Sequence, residues 1–321
     1  MKSLVLGVAL SCVMASATAQ VEWPKEKPVQ VVVPFPAGGA TDTIGRIMAE
    51  QLQRRLGQSF VVYNRPGATG TIGAGFVQRA APDGYTLMMS SLGTYVIAPH
   101  LIKSTSYDAL RDFDYITVAV QAPNVLVGPP GKSSRSVQDV IAELKAKPGQ
   151  VSFANSGYGA SDHLSAEVFL QQTHTEGMHV AYKGGAPAIN DLMGGQVDYS
   201  FQNVNAVLPH IRAGKLRAYA VTGEQRSAVL PDVPTLAEVG VPNAVIYSWQ
   251  ALSAPRGLPE QVKAKLAEAA IASFKDPAVV GALEEQGLEM VASTPEAFTA
   301  FQAREFKRWK DLIEERGISI E

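Results

Sequence analysis

The stretch PVQVVVPFPAGGATD, residues 28–42, and the stretch VSFANSGYGASD, residues 151–162, decide the fold. Each begins with an apolar run typical of a buried strand. Each ends in the order Gly-Ala-hydroxyl-Asp, immediately before a segment whose apolar residues have helical spacing. The same strand, glycine-rich turn and helix therefore occurs twice in one chain, which predicts two similar α/β units.

Strand-like and helix-like segments alternate on both sides of these stretches. This alternation predicts an α/β fold with mainly parallel sheets, whose ligands bind at the carboxyl ends of the strands. Two amphipathic helices near the C-terminus have no sheet of their own, so we expect them to return to the first unit. The sequence thus predicts one lobe made of residues 20–125 and 246–321, and a second lobe of residues 126–245.

Composition and the N-terminal segment indicate an exported protein. The formal net charge of −2 and the scattered basic residues exclude the basic stripe that nucleic-acid binding needs. The first 19 residues carry Lys2, an apolar stretch and a small-residue ending, so we expect a signal peptide cleaved after Ala19. The only cysteine, Cys12, lies inside this segment; lipid attachment there is an alternative that the preceding residues disfavour. We expect a soluble, monomeric protein in the periplasm.

The two glycine-rich turns suggest anion binding. A helix N-terminus leaves backbone N–H groups unpaired and carries partial positive charge, which favours a carboxylate or phosphate. Two such cradles facing each other could hold both ends of a dicarboxylate or clamp one carboxylate from two sides. The alternative is that both motifs are only helix caps. Asp42 and Asp162 oppose a nearby anion, so they either cap the backbone or bind a cationic group of the ligand.

Catalytic and metal-binding patterns are missing from the sequence. The five histidines form no HExxH motif or Cys/His cluster, and no G-x-S-x-G elbow occurs. Ser161 and His163 are close in sequence but do not face each other at the start of a helix. The glycine-rich segment PGATGTIGAG, residues 66–75, matches no nucleotide-binding motif and is interpreted as a turn with close helix packing. We therefore predict no enzyme activity, no metal and no cofactor; a secreted hydrolase is the weaker rival.

Several motifs together resemble a known family. They are VVVPFPAGGATDTIGRIMAEQL (31–52), VVYNRPGATGTIGA (61–74), APDGYTLMMSS (81–91), YKGGAPAINDLMGGQVDYSF (182–201) and RSAVLPDVPTLAEVGVP (226–242). In this order they resemble the Bug/TctC family of periplasmic solute-binding receptors of tripartite tricarboxylate transporters. The resemblance implies a two-lobed, type II-like periplasmic-binding fold that closes on a small carboxylate and delivers it to a membrane permease. A receptor that signals to a membrane regulator instead is an open alternative.

The resemblance also implies a set of ligand-binding residues. In the first lobe they are Phe35, the first cradle (residues 37–41) and three residues that form the floor of the cleft. The individual residues are Phe35, then Ala37, Gly38, Gly39 and Thr41 of the cradle, and Ser90, Ser91 and Thr94 of the floor. In the second lobe they are the second cradle (residues 156–161) and its neighbours, giving Ser156, Gly157, Tyr158, Ser161, His163, Tyr182 and Asn203.

Some of these residues have structural alternatives. Phe35 and Tyr182 could be core aromatics, the serines at 90 and 91 could cap a strand end, and His163 could face water. Trp249 could wall the cleft or plug the hinge. Aromatic residues near the cradles would suit a ligand such as terephthalate, while aliphatic di- and tricarboxylates and acidic amino acids also remain open.

Overall fold

The computed structural model of the protein describes residues 22–319, so the predicted signal peptide lies outside the described residues. The fold begins with a parallel sheet in which β1 (Val29–Val33) lies between β2 (Phe60–Asn64) and β3 (Thr86–Ser91). Helix α1 (Ala40–Leu56) follows β1, and α2 (Thr71–Gln78) follows β2. The predicted strand, turn and helix around residue 38 is confirmed.

A second parallel arrangement repeats this order. Strand β5 (Ser152–Asn155) lies between β6 (Met178–Ala181) and β7 (Tyr199–Asn203). The helices and the further strand of this part are α4 (Val137–Ala146), α5 (Ser161–Thr173), α6 (Gly185–Met193), α7 (Val204–Arg212) and β8 (Arg217–Val221). The short helix α3 (Ala98–Leu101) precedes them in the chain.

Two long strands join the two parts. Strand β4 (Phe113–Gly128) pairs antiparallel with β9 (Tyr247–Pro255), from Phe113 opposite Pro255 to Pro123 opposite Tyr247. Strand β9 also pairs with β3, and the end of β4 pairs with β7 and β8. Because β4 belongs to both sheets, the strand order runs β2-β1-β3-β9-β4-β7-β5-β6. This is the two-lobed α/β fold that was predicted, and the expected lobe boundary at residues 125–126 falls within the continuous strand β4.

The C-terminal helices pack on the first sheet. They are α8 (Glu260–Ser273), α9 (Pro277–Glu284) and α10 (Pro295–Arg316), with the short strand β10 (Glu289–Met290) pairing with β4. Helix α8 packs against α1, and α10 packs against β4 and the turn Gly93–Ile97. Thr294 caps α10 by accepting a hydrogen bond from the N–H of Ala297 at 3.2 Å. No helix within residues 22–319 is long and apolar enough to cross a membrane.

The core where the strands cross is rich in aromatic rings. Trp249 on β9 is 1% exposed and stacks on Tyr95, with ring centroids 5.7 Å apart and planes 11° apart. Phe298 and Phe301 of α10 meet its ring edge-on. Trp249 therefore packs in the aromatic core where the strands cross.

Candidate functional site

The first cradle is held in place by a buried aspartate. Asp42 of α1 accepts hydrogen bonds from the N–H of Gly38 at 2.9 Å, from Asn64 Nδ2 at 2.8 Å and from Arg46 Nε at 2.9 Å. Gly38 has a φ of +84°, a left-handed conformation that favours glycine. Burial raises the pKa of Asp42, but the hydrogen bonds from Arg46, Gly38 and Asn64 outweigh it and leave the pKa below its usual range.

The second cradle uses the same arrangement with different partners. Asp162 of α5 accepts hydrogen bonds from the N–H of Ser156 at 2.6 Å, from the Ser156 hydroxyl and from Gln202 Nε2 at 3.2 Å. These groups are neutral, and burial raises the pKa of Asp162 to about 6 despite the hydrogen bonds from Ser156. Both aspartates therefore bind back to the loop before their helix, which confirms that they cap the backbone.

Backbone donors remain in both cradles. The N–H groups in the first turn of a helix have no acceptor within the helix. Thr41 and Ser161 lie in these first turns and are buried. The N–H of Gly38 is engaged by Asp42, and that of Gly157 by Asn155 Oδ1 at 3.0 Å. The backbone N–H groups available for an anion are therefore those in the first turns of α1 and α5. The N–H groups of Gly38 and Gly157 are already hydrogen-bonded to side chains.

The second cradle touches elements of the first sheet. Thr69 Oγ1 donates to the carbonyl of Tyr158 at 3.4 Å. A Cβ placed on Gly93 would lie 3.5 Å from the carbonyl oxygen of Gly159, and one placed on Gly159 would lie 3.1 Å from Ile97 Cγ2. The turns after β2 and β3 therefore meet the second cradle across the space between the sheets.

The remaining predicted residues of the first lobe lie around these turns. Phe35 is half-buried against the core, and its ring comes within 3.4 Å of a Cβ placed on Gly70. Thr94 is buried and donates from Oγ1 to the carbonyl of Thr69 at 3.2 Å. Ala37 and Gly39 are exposed, and Ser91 is half-buried. Ser90 is fully buried, and its hydroxyl has no hydrogen-bond partner within residues 22–319.

In the second lobe the predicted residues have different surroundings. Ser156 and Gly157 are half-buried, and Tyr158 is 42% exposed. The hydroxyl of Tyr182 donates to Asp191 Oδ2 at 2.8 Å, so its own polar atom is engaged in α6. Asn203 is half-buried where β7 passes into α7.

His163 has an environment that the sequence did not reveal. The residue is 1% exposed, so the alternative that it faces water is wrong. The N–H of Gly159 points at its Nδ1 at 3.4 Å, and its ring meets those of Tyr158 and His179 edge-on. Burial, together with nearby His179, lowers the pKa of His163 to about 4. Glu167, one turn further along α5, lies beside both histidines.

Thr69 contacts the second cradle through Tyr158, although the sequence did not single it out. Ala68 and Thr69 have φ values of +46° and +51°, uncommon for residues with a side chain. Such backbone strain persists where the surrounding structure enforces it and is frequent at binding sites. The only sequence signal was the glycine-rich segment 66–75, which was interpreted as a turn and close helix packing.

Two surface grooves lie away from both cradles. They have volumes of about 580 and 550 Å³ and are open hollows between α5 and α10 that share Gln171, Gln172 and Glu315. They contain no residue of either cradle.

Two α/β sheets joined by shared strands, each with a glycine-rich turn before a helix, are the architecture of periplasmic solute-binding proteins. Within that class, the chain belongs to the tripartite tricarboxylate transporter family receptors, whose family model matches residues 44–318. Members of this family are periplasmic solute-binding receptors and not enzymes.

Individual relatives extend over nearly the whole chain. Protein BugT of Bordetella pertussis is 37% identical over 98% of this chain and 97% of its own length. A solved R. palustris structure with adipate is 34% identical, with a TM-score of 0.87 over 93% of this chain and 99% of its own. MatC of Rhodopseudomonas palustris with bound malate is 30% identical, with a TM-score of 0.83 over 90% of this chain and 99% of its own.

Proposed function

We propose that this protein is a monomeric periplasmic receptor that captures a small dicarboxylate between the first and second cradles and delivers it to a tripartite tricarboxylate-type membrane permease. The repeated aspartate-anchored cradle carries this proposal. Asp42 holds Gly38, and Asp162 holds Ser156, so each loop keeps a fixed position at the start of its helix. Preorganised N–H donors lose little entropy when they bind an anion.

The chemistry of the cradles suits carboxylates at both ends of a ligand. Each helix start carries roughly half a positive charge, and a hydrogen bond to a charged acceptor is worth about 1.5–3 kcal/mol. The solved relatives with adipate and malate support a dicarboxylate. In this proposal Thr41, Ser161 and nearby backbone groups bind the two carboxylates, while Phe35 and Tyr158 flank the carbon chain.

The surroundings of the aromatic residues favour an aliphatic ligand over terephthalate. Of the four aromatic candidates, Trp249 is enclosed in the core. The Tyr182 hydroxyl is bound to Asp191. Phe35 and Tyr158 remain, which is a small aromatic surface for stacking on a ring. We therefore propose an aliphatic dicarboxylate with a length from that of malate to that of adipate.

Isothermal titration calorimetry with malate, adipate and terephthalate tests this function, with butyrate and hexanoate as monocarboxylate controls. We expect one site per chain, with the aliphatic dicarboxylates binding at least about tenfold more tightly than the monocarboxylates, because the second charged group adds at least about 1.4 kcal/mol. Saturation by none of the acids would refute a carboxylate receptor. Tighter binding of terephthalate would refute only the ligand class.

A charge placed in the first cradle provides a matched test of location. Ala37 is exposed beside Gly38, so Ala37→Asp adds a negative charge and Ala37→Asn adds a similar volume without charge. At an effective dielectric constant of 20, two charges 7 Å apart repel by about 2 kcal/mol, or roughly thirtyfold in affinity. Equal affinities of the two variants would place the ligand elsewhere.

Delivery to a permease has its own readout. Cells that lack the receptor should lose uptake of the acid that binds in vitro, and the wild-type protein should restore it while Ala37→Asp does not. Unchanged uptake combined with lost transcriptional induction by the acid would instead indicate a sensory partner.

A further inference from the structure

Three potential metal ligands meet directly behind the second cradle. His163 and Glu167 lie one turn apart on the same face of α5, and His179 lies on β6, which pairs with β5. We propose that His163, Glu167 and His179 form a binding site for a divalent transition-metal ion of the zinc type. The site borders the second cradle, where the N–H of Gly159 contacts His163, and goes beyond the proposed function.

The distances fit a tetrahedral ion. His179 Nε2 lies 3.1 Å and His163 Nε2 lies 3.7 Å from Glu167 Oε1, and one ligand atom from each residue falls within 4.8 Å of the others. Zinc bonds of about 2.0–2.1 Å at tetrahedral angles place neighbouring ligand atoms roughly 3.3 Å apart. The two measured separations bracket that value, so small side-chain rotations would close the site.

The donor set selects the type of ion. Two imidazole nitrogens and one carboxylate oxygen are a recurrent ligand set for zinc, with a fourth position open to water. Imidazole also suits nickel and copper, whereas calcium and magnesium require oxygen ligands. Binding of Ca²⁺ or Mg²⁺ is therefore not expected.

Hydrogen bonding alone explains only part of this arrangement. The contact of His179 with Glu167 has the length of a hydrogen bond, but the 3.7 Å between His163 and Glu167 is too long for one. A shared cation would use all three side chains, which are only 2%, 17% and 14% exposed.

The contact with the cradle does not oppose the ion strongly. Coordination through His163 Nε2 places the ring proton on Nδ1, which can then no longer accept from the N–H of Gly159. That contact is 3.4 Å long and therefore weak, and the two N–H groups must move apart when the ion binds.

Calorimetric titration of the chelator-treated protein with ZnCl₂ tests the site. We expect one Zn²⁺ per chain, with Glu167→Gln and His179→Gln each weakening binding by more than about tenfold. His210→Gln makes the same substitution in a histidine of α7 outside the cluster and should leave the affinity unchanged. No saturable binding, or equal affinities for wild type, Glu167→Gln and His179→Gln, would overturn the proposal.

A second measurement uses only the wild-type protein, in case a variant fails to fold. Crystals soaked in Zn²⁺ should show an anomalous peak at the zinc absorption edge between His163, Glu167 and His179. An anomalous peak only at other residues, or no peak, would overturn the proposal without reference to any variant.

Discussion

Replacing Asp42 with asparagine should loosen the first cradle while leaving helix α1 otherwise intact. The carboxylate has four hydrogen-bond donors around it, namely Gly38 N–H, Asn64 Nδ2 and two guanidinium nitrogens of Arg46. An asparagine side chain keeps the volume but offers one acceptor oxygen. Its amide group must therefore face groups that are themselves donors.

The expected cost follows from these contacts. The bond from Gly38 and that from Asn64 reach a carboxylate that is only 4% exposed, so each is worth about 1.5–3 kcal/mol. Asparagine can retain one of them in weakened form. Arg46 is 55% exposed, so its ion pair adds only about 0.5 kcal/mol. We expect Asp42→Asn to lower the free energy of unfolding by about 2–4 kcal/mol.

Urea unfolding followed by circular dichroism measures this change. Glu50→Gln removes a charge from an exposed i,i+4 pair with Arg54 on the same helix and serves as the control. The control should cost no more than about 0.5 kcal/mol. A loss of less than about 1 kcal/mol for Asp42→Asn, or equal losses for both variants, would refute the anchoring role because a buried bond to charge is worth more.

The pH dependence gives an independent check on Asp42. Its pKa is lowered in the folded state, because the hydrogen bonds from Arg46, Gly38 and Asn64 outweigh burial. A lowered folded-state pKa stabilises the folded protein at pH values above the unfolded pKa of about 3.9. This stabilisation is lost as the pH falls through the folded-state pKa. The stability difference between wild type and Asp42→Asn should stay constant from pH 7 to about 5 and shrink below about pH 4.

Three further substitutions test individual contacts. Gly159→Ala should lower the stability measured by thermal unfolding by about 1–2 kcal/mol because of its left-handed backbone, and further because the new Cβ would crowd Ile97. Gly240→Ala is the control: its φ is similar but its surroundings are open, so only the backbone cost should appear. Trp249→Phe should destabilise by about 1–3 kcal/mol yet leave carboxylate affinity in calorimetry within about threefold, because the ring lies in the core. Tyr182→Phe removes the bond to Asp191 and should cost about 0.5–1.5 kcal/mol, and a larger loss of affinity than of stability would show that the hydroxyl binds the ligand.

The sequence predicted those parts of the fold whose signals are local. The apolar run before Gly38 and the one before Ser156 each predicted a strand, and the helical spacing after each predicted a helix, so both strand, turn and helix units are confirmed. The lobe boundary was predicted between residues 125 and 126, which lie inside strand β4. Pairing with β9 on one side and with β7 and β8 further along keeps this strand continuous.

The site was less predictable where it depends on distant residues. The cluster of His163, Glu167 and His179 joins a helix to a strand sixteen residues from its first member, a spacing that matches no metal-binding motif. Hydrogen bonding of Thr69 to Tyr158 likewise depends on how the two sheets meet. Such contacts follow from tertiary structure and not from local pattern.

The long antiparallel pairing of β4 with β9 also determines where the chain can be split into fragments. A fragment that ends before residue 247 would expose the edge of β3 and the first half of β4, which β9 covers in the intact chain. Unpaired strand edges of this kind promote aggregation. Neither half of this protein is therefore expected to fold by itself. A split reporter or a domain exchange with a relative would have to keep β4 and β9, the two strands that join the sheets, in the same fragment.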